Sequence, residues 1–165
     1  MDSKTIKVCF VCLGNICRSP LAQGVFEYLV EQKGLQDKIQ ISSAGTGSWH
    51  VGKQPDSRMQ ATAKRRGINM KSRARQFQPE DFNQFDLVLA MDQTNRNDLK
   101  EMCPSLDAEK KLRLFRSFDP ECNGDEDVPD PYYGGGDGFE HVFEIVHRTC
   151  PEILKYITSE LIPDP

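Results

Sequence analysis

No stretch of this 165-residue sequence comes near the roughly 20 apolar residues that a membrane helix requires. The apolar run near the N-terminus is broken by Gly14-Asn15 and followed by Arg18, so it does not read as a signal peptide either. Excess basic charge is also missing. The 21 Lys and Arg face 25 Asp and Glu, a net charge of −4, and no basic stripe offers itself to nucleic acid or an anionic membrane surface. Histidine is scarce: His50, His141 and His147 fall in no motif and read as surface or core residues. No metal-ligand pattern and no cofactor motif are evident, so neither group is expected. Repeats, linkers and low-complexity tracts are absent too. One domain over 1–165 is therefore expected, long enough to bury a core without disulfide staples. The six cysteines then read as thiols, and the expected home is a reducing cytoplasm.

What is present centres on Val11-Cys12-Leu13-Gly14-Asn15-Ile16-Cys17-Arg18-Ser19-Pro20. Ile6 to Val11 before it is short, apolar and β-prone, and reads as a buried strand. After it, apolar residues at 21, 22, 25, 26, 29 and 30 follow helical spacing. Ser19-Pro20 reads as the opening of that helix, a capping hydroxyl before a residue suited to the first turn. Strand, tight loop, helix N-terminus is the geometry of an anion site, where loop amides converge and the helix dipole adds positive charge. Gly14 and Asn15 are types that tolerate left-handed backbone. Arg18 supplies a permanently charged planar fork for two phosphate oxygens. Such surroundings favour the thiolate of a cysteine, and Cys12 stands at the start of the loop. A nucleophile beneath a bound phosphate is the chemistry this combination implies. Cys9 and Cys12 spell C-x-x-C, but three residues apart on a strand they face opposite sides and cannot share a metal or a redox disulfide. The Gly-Lys-Ser/Thr ending of a nucleotide-binding loop is missing.

Further along, the helix should end near Gly34, and 39–44 alternates as a second strand. A Gly-rich irregular loop over 45–55 carries Trp49, the single tryptophan. Asp56 should cap a helix to about Arg66, ahead of Gly67, and a basic connector runs over 71–76. A short turn is expected over 80–85, and 85–91 is a strand apolar enough to be buried on both faces. Asp92 should begin a helix through about Cys103, stopped by Pro104, with a last short strand over 111–115. A long polar loop over 117–137 precedes a final helix over 138–161 that Pro151 should kink. Alternating strands and helices predict an α/β, three-layer domain with a parallel, doubly wound sheet. Ligands in such sheets lie beyond the carboxyl ends of the strands, where the Cys12 loop, the Trp49 loop, Asp92 and the Asp130 loop should converge.

The Cys12–Arg18 spacing followed by Ser19-Pro20, together with Asp56, Ala74-Arg75-Gln76, Met91-Asp92 and Asp130-Pro131-Tyr132-Tyr133, resembles the low-molecular-weight protein tyrosine phosphatase family over most of the chain. The resemblance implies a four-stranded doubly wound sheet flanked by helices. It also implies hydrolysis of phosphotyrosine and aryl phosphate monoesters through a phosphocysteine intermediate. Cys12 would be the nucleophile and Arg18 the phosphoryl clamp. Asp130 would be the general acid, and Ser19 the hydrogen-bond donor to the departing thiolate. Leu13, Gly14, Asn15, Ile16 and Cys17 would line the phosphate, and Asn15 would hold the loop in shape. Trp49, Tyr132 and Tyr133 would wall an aromatic pocket, and Asp92 either orients Arg18 or caps its helix. By the same resemblance Cys17 can pair with Cys12 in a reversible disulfide. The partners implied are phosphotyrosine proteins, with inorganic phosphate or vanadate as competing anions. In one place the chain departs from the pattern: Ser72 stands where the family often has a histidine bonded behind the loop.

Three other functions are weighed by residue. An arsenate reductase of the same fold needs resolving thiols, and no cysteine pair occurs between Phe77 and Asp92 where those relatives carry one. Phosphoarginine phosphatases commonly carry Thr in place of Ile16. A non-catalytic phosphotyrosine-binding module would be expected to lose Cys12 or Asp130, and both are kept.

Overall fold

In the computed structural model, which describes residues 5–133 and 137–162, a four-stranded parallel sheet runs in the order β2-β1-β3-β4. The strands are β1 (Ile6–Cys12), β2 (Ile39–Gly45), β3 (Leu87–Ala90) and β4 (Leu112–Leu114). Helices α1 (Arg18–Gln32), α2 (Ser57–Arg65), α3 (Gln93–Glu101), α4 (Leu106–Glu109) and α5 (Asp137–Tyr156) connect and cover them. The sheet's pleat divides the core. Val8, Phe10 and Cys12 of β1 pack with Leu87, Leu89 and Met91 against Phe26 of α1, Met59 of α2 and Phe143 of α5. Cys9, Val11, Val88 and Ala90 point the other way, against Phe77, Phe82 and Leu99. Cys9 and Cys12 thus lie in separate halves of the core, as the strand period requires. Burial pushes the Cys9 thiol up to about 12, and that group is inert.

The chain passes from β1 to β2 on one side and then crosses to β3 on the other. The reversal at the carboxyl end of β1 leaves a crevice, and Cys12 is the last residue of that strand. Several boundaries differ from the sequence reading. Helix α1 begins at Arg18 with Cys17 at the N-cap, so Ser19 lies within the first turn and its hydroxyl is not a cap. Strand β3 is shorter than the apolar run 85–91, although Asp86 and Met91 at its two ends still donate their N–H groups to the Lys7 and Val11 carbonyls of β1. The short helix α4, capped by Ser105, is an element the hydropathy pattern does not reveal. The long polar segment contains 3₁₀ turns at Phe115–Phe118 and Pro131–Tyr133. Pro151 lies inside α5, which continues into a π-helical turn over Ile157–Leu161.

Candidate active site

Between β1 and α1 the backbone curls tightly around the Cys12 sulfur. Asn15 alone in this loop takes left-handed backbone, at φ 58°, while Gly14 does not. What Gly14 supplies is room: a Cβ there would stand 2.9 Å from His50 Cδ2. Behind the loop, Gly45 at the end of β2 approaches more closely still. A Cβ on Gly45 would stand 2.7 Å from the Leu13 carbonyl oxygen, a backbone atom that cannot yield. With Gly45 in place, the Thr46 and Gly47 N–H groups donate to the Cys12 and Leu13 carbonyls at 2.9 Å each.

The Cys12 sulfur is 2.9 Å from Ser19 Oγ and accepts from the Asn15 N–H at 3.3 Å. Asn15 Nδ2 donates to Ser19 Oγ at 2.8 Å and to Ser43 Oγ at 3.0 Å, and Asn15 Oδ1 accepts from the Arg75 N–H. Ser43 in turn donates to Gln23 Oε1 at 2.6 Å. The polarity of this buried chain follows from its two ends. Ser43 spends its proton on Gln23, so it must accept from Asn15; Ser19 also accepts from Asn15, and its own proton has two acceptors in reach, the Cys12 sulfur at 2.9 Å and the Ala44 carbonyl at 3.3 Å. Ser72 contributes no hydrogen bond to this network among the described residues; Gln23, one helical turn after Ser19, closes it instead. Asn15 is 1% exposed, and its side chain is turned behind the loop, where it holds the loop's shape through these bonds.

Arg18 is 2% exposed and enters from the start of α1. Its Nη1 donates to Asp92 Oδ2 at 2.6 Å and to the Val128 carbonyl at 2.9 Å, using both of that nitrogen's protons. The Nε–H and Nη2 edge is left for an anion, with Asp130 Oδ2 3.6 Å from Nη2. Burial pulls the guanidinium's pKa down, but Cys12, Asp92 and Asp130 around it outweigh burial and hold it above its ordinary value. Asp92 does both things weighed for it: Oδ1 caps α3 through the Asn95 N–H at 2.7 Å, and Oδ2 holds Arg18.

The pocket is about 300 Å³, lined by Cys12, Leu13, Gly14, Ile16, Cys17 and Arg18 below and by Trp49, His50, Asp130 and Tyr132 around its mouth. Trp49 is 68% exposed and lies across Gly47, where a Cβ would strike its ring. Tyr132 is backed by the Arg58 guanidinium 5.4 Å from its ring centre, and Arg58 is held by Asp56 at 2.9 Å. Tyr133 was an expected wall as well; its side chain lies outside the described part of the molecule. Cys17 is buried beside Cys12, and desolvation, reinforced by Asp56 and Cys12, pushes its thiol up.

His50 belongs to this pocket although no motif marked it. Its imidazole faces Gly14 on one side and Tyr132 on the other, with ring centres 6.2 Å apart. Adjacency to Trp49 in a glycine-rich loop was the one available signal. Cys103, Cys122 and Cys150 line none of this pocket. An oxyanion clamp, a sulfur beneath it and a carboxylate across from it form a site for phosphoryl transfer through sulfur. Residues 7–162 match the family described as low molecular weight phosphotyrosine protein phosphatase. The chain belongs to that family.

Among its relatives, the low molecular weight protein-tyrosine-phosphatase of Streptomyces coelicolor is 44% identical over 158 residues, spanning 95% of this chain and 96% of that one. A protein tyrosine phosphatase from Entamoeba histolytica, solved with Hepes in its active site, superposes with a TM-score of 0.90 at 38% identity, covering 94% of this chain and 98% of its own. An arginine phosphatase of Drosophila superposes with a TM-score of 0.85 at 35% identity, covering 94% and 99%. The four-stranded parallel sheet with flanking helices is therefore that of the low molecular weight phosphatases, and the cysteine-dependent mechanism is general to them.

Proposed function

We propose that this phosphatase hydrolyses phosphotyrosine in proteins with Cys12, Arg18, Asp130 and Ser19 as its catalytic residues. The observation that carries the assignment is the arrangement around Arg18. Its Nη1 is tied to Asp92 and Val128, so the Nε–Nη2 edge faces a pocket that holds both the Cys12 sulfur and Asp130. That edge and the loop amides bind the equatorial phosphoryl oxygens. The Cys12 thiolate attacks phosphorus in line and the ester oxygen leaves, taking its proton from Asp130. Water then attacks the phosphocysteine, gives a proton back to Asp130, and expels the Cys12 thiolate. The Ser19 hydroxyl, 2.9 Å from that sulfur, stabilises the charge as it returns.

The aromatic and aliphatic walls favour a phosphorylated tyrosine: Ile16, Trp49 and Tyr132 offer apolar surface to an aromatic ring. Inorganic phosphate and vanadate would occupy the loop as competing anions. The Cys12→Ser variant tests the assignment: p-nitrophenyl phosphate hydrolysis should vanish while phosphate still binds. Substantial turnover by that variant would remove Cys12 from its role. Phosphoarginine hydrolysed faster than phosphotyrosine by the native enzyme would overturn the substrate class.

A further inference from the structure

Asp130 ends a segment with no helix or strand from 119 to 130, and a general acid on such a segment needs something to hold it. A buried ion cluster lies at the base of this segment, outside the pocket. Asp119, whose side chain is fully buried, accepts from Arg116 Nε at 2.8 Å, from Arg148 Nε at 2.8 Å and Nη2 at 3.0 Å, and from the Glu121 N–H at 2.9 Å. Arg116 is buried too, and it does more than neutralise Asp119. Its Nη1 reaches forward to the Asp127 carbonyl at 2.8 Å.

That carbonyl belongs to the peptide unit whose other end, the Val128 N–H, donates to the Met91 carbonyl at 2.8 Å. The next carbonyl, that of Val128, is the one Arg18 holds. Two buried arginines therefore grip consecutive carbonyls of the segment, two and three residues before Asp130. The Asp127 carboxylate is also held, by the Gln93 N–H at the start of α3 at 2.8 Å. Arg148 touches Asp119 but no carbonyl of the segment, so it shares the ion pair without the grip.

We infer that Arg116 is a positioning residue for catalysis: anchored on Asp119, it clamps the 127–128 peptide and so sets where Asp130 meets the leaving oxygen. The inference rests on the acid role proposed for Asp130. Arginine suits the position because its planar fork can serve Asp119 through Nε and Asp127 through Nη1 at once, which a lysine ammonium cannot do with the same reach.

The test is burst kinetics of enzyme phosphorylation across aryl phosphates of rising leaving-group pKa, with Arg116→Met, Arg116→Lys, Arg148→Gln and Asp130→Ala compared. Arg116→Met should slow phenyl phosphate about tenfold or more and an activated nitrophenyl ester much less, a weaker copy of Asp130→Ala. Phosphate affinity should hold, and adding Arg116→Met to Asp130→Ala should add nothing to the leaving-group dependence. Arg148→Gln should lower Tm without changing that dependence. Arg116→Lys, which retains a cation beside Asp119, should show the same kinetic signature and carries the test if the Met variant does not fold. A loss of Tm with unchanged leaving-group dependence, an equal loss on every ester, or the same kinetic change in Arg148→Gln would overturn the clamp. Failure of the acid role itself would show separately, as an Asp130→Ala penalty independent of the leaving group.

Discussion

Arg18 and Asp92 meet at 2.6 Å through Nη1 and Oδ2, while the other oxygen of Asp92 caps α3. One carboxylate thus ties the phosphoryl clamp to the start of a helix 74 positions away in sequence. Asn at position 92 has a single acceptor oxygen and cannot do both. Asp92→Asn should lose a charge-assisted hydrogen bond of about 1.5–3 kcal/mol, roughly 10- to 150-fold in kcat/KM. The loss should be similar for all aryl phosphates, since the clamp is common to them. Steady-state kinetics with phenyl and p-nitrophenyl phosphate check this, and a loss confined to the poorer leaving group would place Asp92 with the acid instead.

Asp130→Ala should behave in the opposite way. General acid catalysis is typically worth about 10²–10⁴-fold, and it matters most when the departing oxygen is basic. Phenyl phosphate and phosphotyrosine should suffer strongly and an activated ester little. Phosphorylation has to be read from the burst, because hydrolysis of the phosphocysteine can limit kcat. A penalty independent of leaving-group pKa would move the acid role to another carboxylate, with Asp125, Glu126, Asp127 and Asp137 tested in turn.

Ser19→Ala should slow the second half-reaction more than the first, because the Ser19 hydroxyl lies 2.9 Å from the sulfur that leaves in that step and can donate to it. Phosphoenzyme should therefore accumulate to a higher steady-state level than in the native enzyme. Gln23→Met, at the far end of the same chain of hydrogen bonds, should change the partition in the same direction but less. Rapid-quench measurement of the phosphoenzyme fraction decides between this and a purely structural role, which would lower Tm and leave the partition unchanged.

The buried thiol of Cys17 stands ready for a different reaction. Peroxide should convert the Cys12 thiolate to a sulfenic acid, and condensation with the Cys17 thiol would release water and leave a disulfide. Inactivation by peroxide should be reversed by dithiothreitol, and peptide mapping should find Cys12 joined to Cys17. Cys12 recovered only as sulfonic acid, or joined to another cysteine, would refute this.

The parts of the site that were legible in the sequence are those that sit together along the chain. Cys12 through Ser19 form one continuous loop and helix start, and Asp130 carries its own Pro-Tyr-Tyr neighbours. Strand and helix order was legible for a related reason: buried parallel strands and amphipathic helices write their periods locally. Partners far apart in sequence left no such mark. Gly45 matters because of a backbone oxygen 32 positions earlier, and the reach of Arg116 to Asp127 crosses a loop with no periodicity. Gln23 offered only its i, i+4 spacing from Ser19, a pattern every helix contains. A hydroxyl before proline is a general helix-start signal, but here the helix begins one residue earlier, at Arg18, and the Ser19 hydroxyl sits among the Cys12 sulfur, the Asn15 amide and the Ala44 carbonyl instead.

Acid titration probes the ion cluster behind the Asp130 segment. Although burial alone would raise the Asp119 pKa, hydrogen bonds from Arg148, Arg116 and the Glu121 N–H hold it down at about 2. An unfolded aspartate titrates near 3.9, so the group's contribution to stability is fully present above about pH 4 and is lost as pH falls toward 2. Asp119→Asn should accordingly lower Tm at pH 7, and the difference from the native enzyme should shrink below about pH 3. A difference that stays constant across this range would show that the charge of Asp119 is not what stabilises the cluster.

The most direct measurement of the whole account is acid quenching during turnover of an aryl phosphate, followed by peptide analysis under conditions that preserve thiophosphate esters. Phosphate should be found on the sulfur of Cys12, formed within the burst and at no more than one per chain. Burst formation of a phosphoenzyme carrying phosphate on any other residue, or full turnover with no phosphoenzyme in the native or Ser19→Ala protein, would contradict it.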